Sequence, residues 1–379
     1  MDILTAMNQN KENEKYIEQI EGIDYEYEPQ NEQDIYPIGE LLIRTETRTI
    51  FDIKRRIDSG YYILNPSFQR DFVWDEKKQS KLIESVLMRL PLPVFYFAET
   101  SEGKIIVVDG LQRLKTFSNY MDNKFKLKGL EKTRPEIEGK LFQNLSAKYQ
   151  ARIEDTNLTL YLIDPHIPER VRLDIFERVN SGIPLSRQQM RNSLYMGKGT
   201  EWLRDAAISD LFQLVTDGKL DWKTMRDREL INRFCAFKIL GVKDYINKYK
   251  GDMEEFLSET LKIMNQMGNK ERQILKDRFD LTLTNNYSLF EKHSFRKHYA
   301  EDQEHRSVIN ASLFDVFTVI LSDYSKEVIT KNLEHIREGF YSLMNDEQFN
   351  NSITISTNST SKVKYRFGKA KKMIEEAIR

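Results

Sequence analysis

Residues Lys104 to Phe117, KIIVVDGLQRLKTF, constrain the fold more than any other stretch of the chain. Lys104 to Val108 are mostly β-branched and end at a break, the pattern of a buried strand. Asp109 and Gly110 close that run. Leu111, Leu114 and Phe117 then recur at helical spacing, so the chain passes directly from strand to helix. A carboxylate at a strand end, a glycine that lets backbone come close and a helix N-terminus together suit an anion or a nucleotide-bound metal. Arg113, one turn into the helix, adds a forked donor for phosphate oxygens. The plainer reading of the same residues is a core strand followed by a helix that Asp109 caps.

The flanking sequence reads as further alternation of strand and helix. Ile35–Ile43 has the pattern of a short strand, and Thr47–Ile57 that of a helix ended by Gly60. Asp75 is placed to cap a helix whose buried side is Leu82, Ile83, Val86, Leu87 and Leu90, stopped by Pro91 and Pro93. Val94–Ala98 then pairs with the Lys104 strand as a hairpin through Ser101-Glu102-Gly103. Lys124–Lys128 resembles an edge strand, residues 129–155 look irregular, and Thr156–Ile163 is another strand. Val171–Val179 reads as a helix ending in Asn180-Ser181-Gly182, after which Ser186 caps the next helix. In the loop before Asp75, Gln69 and Arg70 lie between Phe68 and the aromatics Phe72 and Trp74. Such neighbours hold a loop so that two polar side chains face a cleft, although a surface pair has the same pattern. Likewise Asn180 and Gly182 fit an ordinary helix-ending turn or a backbone nest for an anion.

From about Gly199 strand signals nearly vanish and amphipathic helices dominate: Trp202–Val215, Arg228–Ile239, Met253–Gln266, Leu313–Leu321 and Glu327–Met344. The net charge of −1 conceals an uneven distribution. Residues 1–35 hold ten acids and two lysines, which leaves the remainder at +7. Residues 1–33 therefore read as an acidic, mobile leader. Seven Lys or Arg in 361–379 suggest a basic helix face with Arg366, Lys369, Lys371 and Lys372, solvated by default and a phosphate contact as the alternative. A single cysteine, Cys235, sits in an apolar stretch and excludes an internal disulfide or a thiolate-rich zinc site. His293, His298 and His305 are spaced too irregularly for one helix face and point to a charged surface. No HExxH, Walker loop or GxGxxG is present. With no apolar run of membrane length and no signal-peptide pattern, the expected location is the cytoplasm.

FQRDFVW, LIESVLMRLPLPVFYF, VVDGLQRLKTF and FERVNSGIPLSRQQMRNSLY, in this order, resemble the N-terminal domain of the GmrSD-type restriction proteins, within the ParB/sulfiredoxin superfamily. The resemblance implies a ParB/sulfiredoxin-like nucleotide-binding domain over 34–198; with the acidic leader over 1–33 and the all-α domain that the helix signals indicate over 199–379, the chain reads as an α+β protein. The resemblance also implies binding of a nucleoside triphosphate, of unspecified base, with Mg²⁺ at a DGQQR-like motif that controls DNA restriction in antiviral defence. Carried onto this chain, the motif is Asp109, Gly110, Leu111, Gln112 and Arg113. Asp109 becomes the metal ligand, and Asp109, Gln112 and Arg113 the catalytic set. Gln69, Arg70, Gly110, Arg113, Asn180 and Gly182 become nucleotide-binding residues. Leu111 departs from the family's first glutamine, and leucine can neither hold a metal nor orient a water. Two consequences stay open: binding persists while hydrolysis slows, or Leu111 packs beside Leu114 and the chemistry rests on Asp109, Gln112 and Arg70. No HNH-like set follows residue 200, so a separate nuclease or defence subunit is the expected partner, with DNA as another. The competing functions are a non-catalytic nucleotide-gated module, a DNA-binding module and a DNA nuclease subunit.

Overall fold

The computed structural model describes residues 17–23, 43–64, 74–100, 103–130, 134–167, 169–179, 185–241, 248–301 and 303–379. These form two compact units, one of residues 43–194 and one of residues 17–23 with 195–379. The class is α+β.

The N-terminal arm belongs to the helical unit. Its strand β1 (Ile20–Glu21) pairs in parallel with Ile309–Asn310. Ile20 is buried in the helical core. Glu18, also buried, grips the fully buried Arg296 with both carboxylate oxygens and accepts the Ile309 amide at 3.1 Å. Glu21 pairs with Lys297 at 2.6 Å. The expectation of a mobile leader is therefore corrected over residues 17–23: a carboxylate meant for solvent is the counter-ion of a buried guanidinium.

The smaller unit is built on β2 (Ile43–Thr49), β3 (Tyr62–Ile63), β4 (Phe95–Glu99), β5 (Ile105–Asp109) and β6 (Asn157–Ile163), in the spatial order β2-β6-β4-β5-β3. β4 pairs antiparallel with β5 and parallel with β6. Around the sheet lie α1 (Ile50–Asp58), α2 (Glu76–Leu87), α3 (Leu111–Met121), α4 (Ala147–Glu154), α5 (Glu169–Val179) and α6 (Arg187–Leu194). Asp75 caps α2 as expected, accepting the Lys78 amide at 2.7 Å, and the Ser186 hydroxyl accepts the Gln189 amide at the start of α6. Phe95, Phe97, Val107, Leu160 and Leu162 alternate onto one face of the sheet and pack on Ile53, Ile83, Leu114 and Phe117. α5 packs against β5, and Ile106 and Val108 are buried too, so β5 is covered on both faces and its apolar run is continuous.

Three boundaries differ from expectation. Thr47 to Thr49 continue the strand β2 where the helix was expected to start, and the helix begins at Ile50 with Thr49 as its cap. Lys124–Lys128 forms no strand, while a helix, α4, stands in the stretch read as irregular. The Ile35–Ile43 strand falls outside the described residues apart from Ile43.

The larger unit is helical: α7 (Lys198–Ala207), α8 (Asp210–Thr216), α9 (Arg226–Ile239), α10 (Met253–Gln266), α11 (Asn269–Phe290), α12 (Ala311–Leu321), α13 (Lys326–Lys331), α14 (Leu333–Asn345), α15 (Glu347–Thr354) and α16 (Thr360–Ala377), with β7 (Ile309–Asn310) receiving the arm. Cys235 is fully buried, and burial pushes its thiol well above the ordinary range. Two surface expectations are corrected. Arg366 is not on a solvated face; it is completely buried and meets Asp315 at 3.3 Å, beside Arg233, whose fork holds the same carboxylate at 2.6 and 2.8 Å. His293 and His298 are likewise buried, with rings stacked 4.9 Å apart, whereas His305 is exposed.

Candidate functional site

The site grows from the junction of β5 and α3. Asp109 is the last residue of β5, and the N-cap of α3 is Gly110, so the reading of Asp109 as a capping residue is corrected. Gly110 has φ +100, a left-handed conformation that an L side chain adopts only at a cost. A Cβ there would lie 2.3 Å from Cδ1 of Phe95 and 3.3 Å from Nη2 of Arg113. Only glycine lets the chain turn this tightly against Phe95. The first backbone N–H groups of α3 have no carbonyl partner within the helix, which makes this end electropositive.

Arg113 is mostly withdrawn from solvent, its side chain 11% exposed. Its Nη2 donates to Asp109 Oδ2 at 2.9 Å and to the Val94 carbonyl at 3.1 Å, and its Nη1 donates to the Pro93 carbonyl. The guanidinium carbon sits 4.1 Å from the centre of the Phe95 ring. Burial pulls its pKa down, and the Asp109 carboxylate opposes that shift. Arg113 thus ties the start of β4 to the end of β5 and holds one oxygen of Asp109. The sequence pattern alone offers this fork to phosphate and shows neither Phe95 nor the two carbonyls as its partners. The proline that stops α2's overrun was visible, but its carbonyl's partner lies twenty residues away.

Asp109 is 32% exposed and keeps its second oxygen for another partner. A register shift in the β4–β5 ladder sets it opposite Tyr96, while Val107 pairs with Phe97. Leu111 is buried and packs in the same core as Leu114. Gln112 is half-buried in the first turn, and its carbonyl accepts the Thr116 hydroxyl at 2.8 Å. Asp109, Gly110, Gln112 and Arg113 are thus held within one turn. Gln69, Arg70, Asn180 and Gly182 lie outside the described residues.

Among the described residues no three His, Cys, Asp or Glu side chains gather to hold a metal. A magnesium ion needs only one or two carboxylates when phosphates and water complete its shell, so Asp109 fits as a co-ligand with a nucleotide rather than as a free-standing metal site. His166 is exposed and bonds Asp164 at 2.8 Å in a local turn, away from any cluster. No described helix is long and apolar enough to cross a membrane.

No curated protein and no solved structure matches this chain. One family model does match, the N-terminal domain of the GmrSD restriction endonuclease, over residues 9–196. Those residues span the whole sheet unit with its Asp109–Arg113 turn, and this part of the chain belongs to the GmrSD restriction endonuclease N-terminal domain family.

Proposed function

We propose that this chain binds a nucleoside triphosphate with Mg²⁺ at the β5–α3 turn, and that the bound state regulates a DNA restriction or antiviral response whose cutting is done by a separate nuclease subunit. The observation that carries this reading is the turn itself: a half-exposed carboxylate at a strand end, a left-handed glycine with no side chain in the way, and a helix N-terminus directed at the same place. The first amides of α3 bind phosphate oxygens. Arg113 holds Asp109 in position, and Gln112 orients the attacking water. Arg70, Gln69, Asn180 and Gly182 complete the phosphate clamp in this reading, and the smaller unit takes a ParB/sulfiredoxin-like form. The second oxygen of Asp109 would hold Mg²⁺, and the ion would supply positive charge beside the phosphates.

A second reading, a nucleotide gate without turnover, is favoured by Leu111, whose side chain is in the core at a position that the resemblance makes polar. Two measurements on the full chain separate the readings. Thermal shift with ATP, GTP, CTP and UTP, with and without Mg²⁺, is expected to show Mg²⁺-dependent stabilisation that Asp109→Asn removes. Phosphate release with the same nucleotides then distinguishes a hydrolase from a gate. Absence of any shift and of any release, from folded protein, rejects both.

A further inference from the structure

The register of the sheet lines up more than Asp109. Tyr161 of β6 sits beside Tyr96 of β4, and Tyr96 sits opposite Asp109 of β5, so the three occupy one cross-strand row. The two rings are 5.4 Å apart at 42°, and both are half-buried. Their neighbours along the strands, Phe95, Phe97, Leu160 and Leu162, are the buried core residues, so alternation turns Tyr96 and Tyr161 to the opposite face. Along β5, plain alternation from Ile105 and Val107 would send Asp109 to the core face. The register shift between Tyr96 and Phe97 interrupts that alternation and sets Asp109 opposite Tyr96, while one of its carboxylate oxygens meets Arg113 beside the Phe95 ring.

We propose that Tyr96 and Tyr161 form the platform for the base or ribose of the nucleotide whose phosphates meet the β5–α3 turn; the proposal rests on the nucleotide reading above. Two strand spacings, about 9.6 Å, separate Asp109 from Tyr161. A carboxylate at one end of such a row and two π faces at the other match a ligand with a charged, metal-binding end and a flat end. Stacking on a ring is tolerant of base identity, because every base has a π face. The site therefore accepts more than one of the four nucleotides, and it distinguishes a nucleotide from bare polyphosphate.

Calorimetry on the full chain with Mg²⁺ tests this, using ATP, GTP, CTP, UTP and inorganic tripolyphosphate as probes. Wild-type protein is expected to bind the nucleotides about tenfold or more tighter than tripolyphosphate. Tyr96→Leu and Tyr161→Leu each lose that advantage while tripolyphosphate binds as before, and Tyr96→Phe and Tyr161→Phe keep it. Equal wild-type affinity for nucleotide and tripolyphosphate overturns the platform and leaves the phosphate site standing, and needs no variant to fold. Leucine variants that bind nucleotide as wild type also overturn it, and identify the rings as a pair that only stabilises the sheet. Wild-type protein that binds no probe at all overturns the nucleotide reading and the platform together.

Discussion

Gly110 and Arg113 show how little freedom the motif has. Alanine at 110 must adopt a left-handed backbone and push into the Phe95 ring, at a cost of about 2–4 kcal/mol. Urea unfolding of Gly110→Ala against wild type measures it; equal midpoints would mean that the turn relaxes without penalty. Arg113 makes a sharper distinction. An arginine reserved for phosphate is idle without ligand, whereas here the guanidinium already bonds Asp109, Val94 and Pro93. Arg113→Lys keeps the charge but lacks the planar fork, so it is expected to destabilise the nucleotide-free protein by about 1–3 kcal/mol. Melting unchanged without nucleotide would contradict the hydrogen bonds described. At this scale Asp109, Gly110 and the helix start were legible because they follow each other in the chain. The partners of Arg113 were not, since Pro93 and Val94 meet it only after β4 and β5 pair.

Among the elements, the N-terminal arm depends most on its tertiary setting. Glu18 is the carboxylate that both Nη atoms of the buried Arg296 meet. Glu18→Ala leaves that charge buried without its carboxylate and is expected to cost about 3–5 kcal/mol, of which Glu18→Ala/Arg296→Met recovers a part. A double-mutant cycle by denaturant unfolding reads the coupling; additive losses would mean that the pair does not interact. The helices themselves were largely readable from their apolar period, Met253–Gln266 to the residue. Two long ones were read through their breaks. Ser209 caps α8 within the expected Trp202–Val215 helix, and Asn332 separates α13 from α14 within Glu327–Met344. A single interrupting turn barely changes the hydrophobic period, so periodicity alone passes over it.

For the molecule as a whole, two buried groups in the helical unit oppose each other in acid. Burial, and His293 and Arg337 nearby, lower the His298 pKa from 6.5 to about 4. Its stabilising contribution is complete above the unfolded value of 6.5 and is lost as pH falls through about 4. Burial raises Asp227 from 3.8 to about 6, against the pull of Arg228. Its contribution is present below 3.8 and is lost as pH rises through about 6. Each is worth about 3 kcal/mol, so they largely offset between these values. Asp227→Asn removes the compensating half and is expected to lose stability more steeply than wild type from pH 6.5 to 4 in urea unfolding series. Parallel pH profiles would show that Asp227 does not titrate as described. Taken alone, the sequence determined the strand–turn–helix at Lys104–Phe117, the change to helices after residue 199 and most apolar faces, because backbone preference and side-chain period act over a few residues. The tertiary structure alone decided that Arg113 holds Asp109, that Glu18 and Arg366 lie buried and that Tyr96 and Tyr161 share a row with Asp109. Those outcomes depend on register and on charges meeting partners far away in the chain, and a buried charge keeps its place only where such a partner compensates its lost hydration.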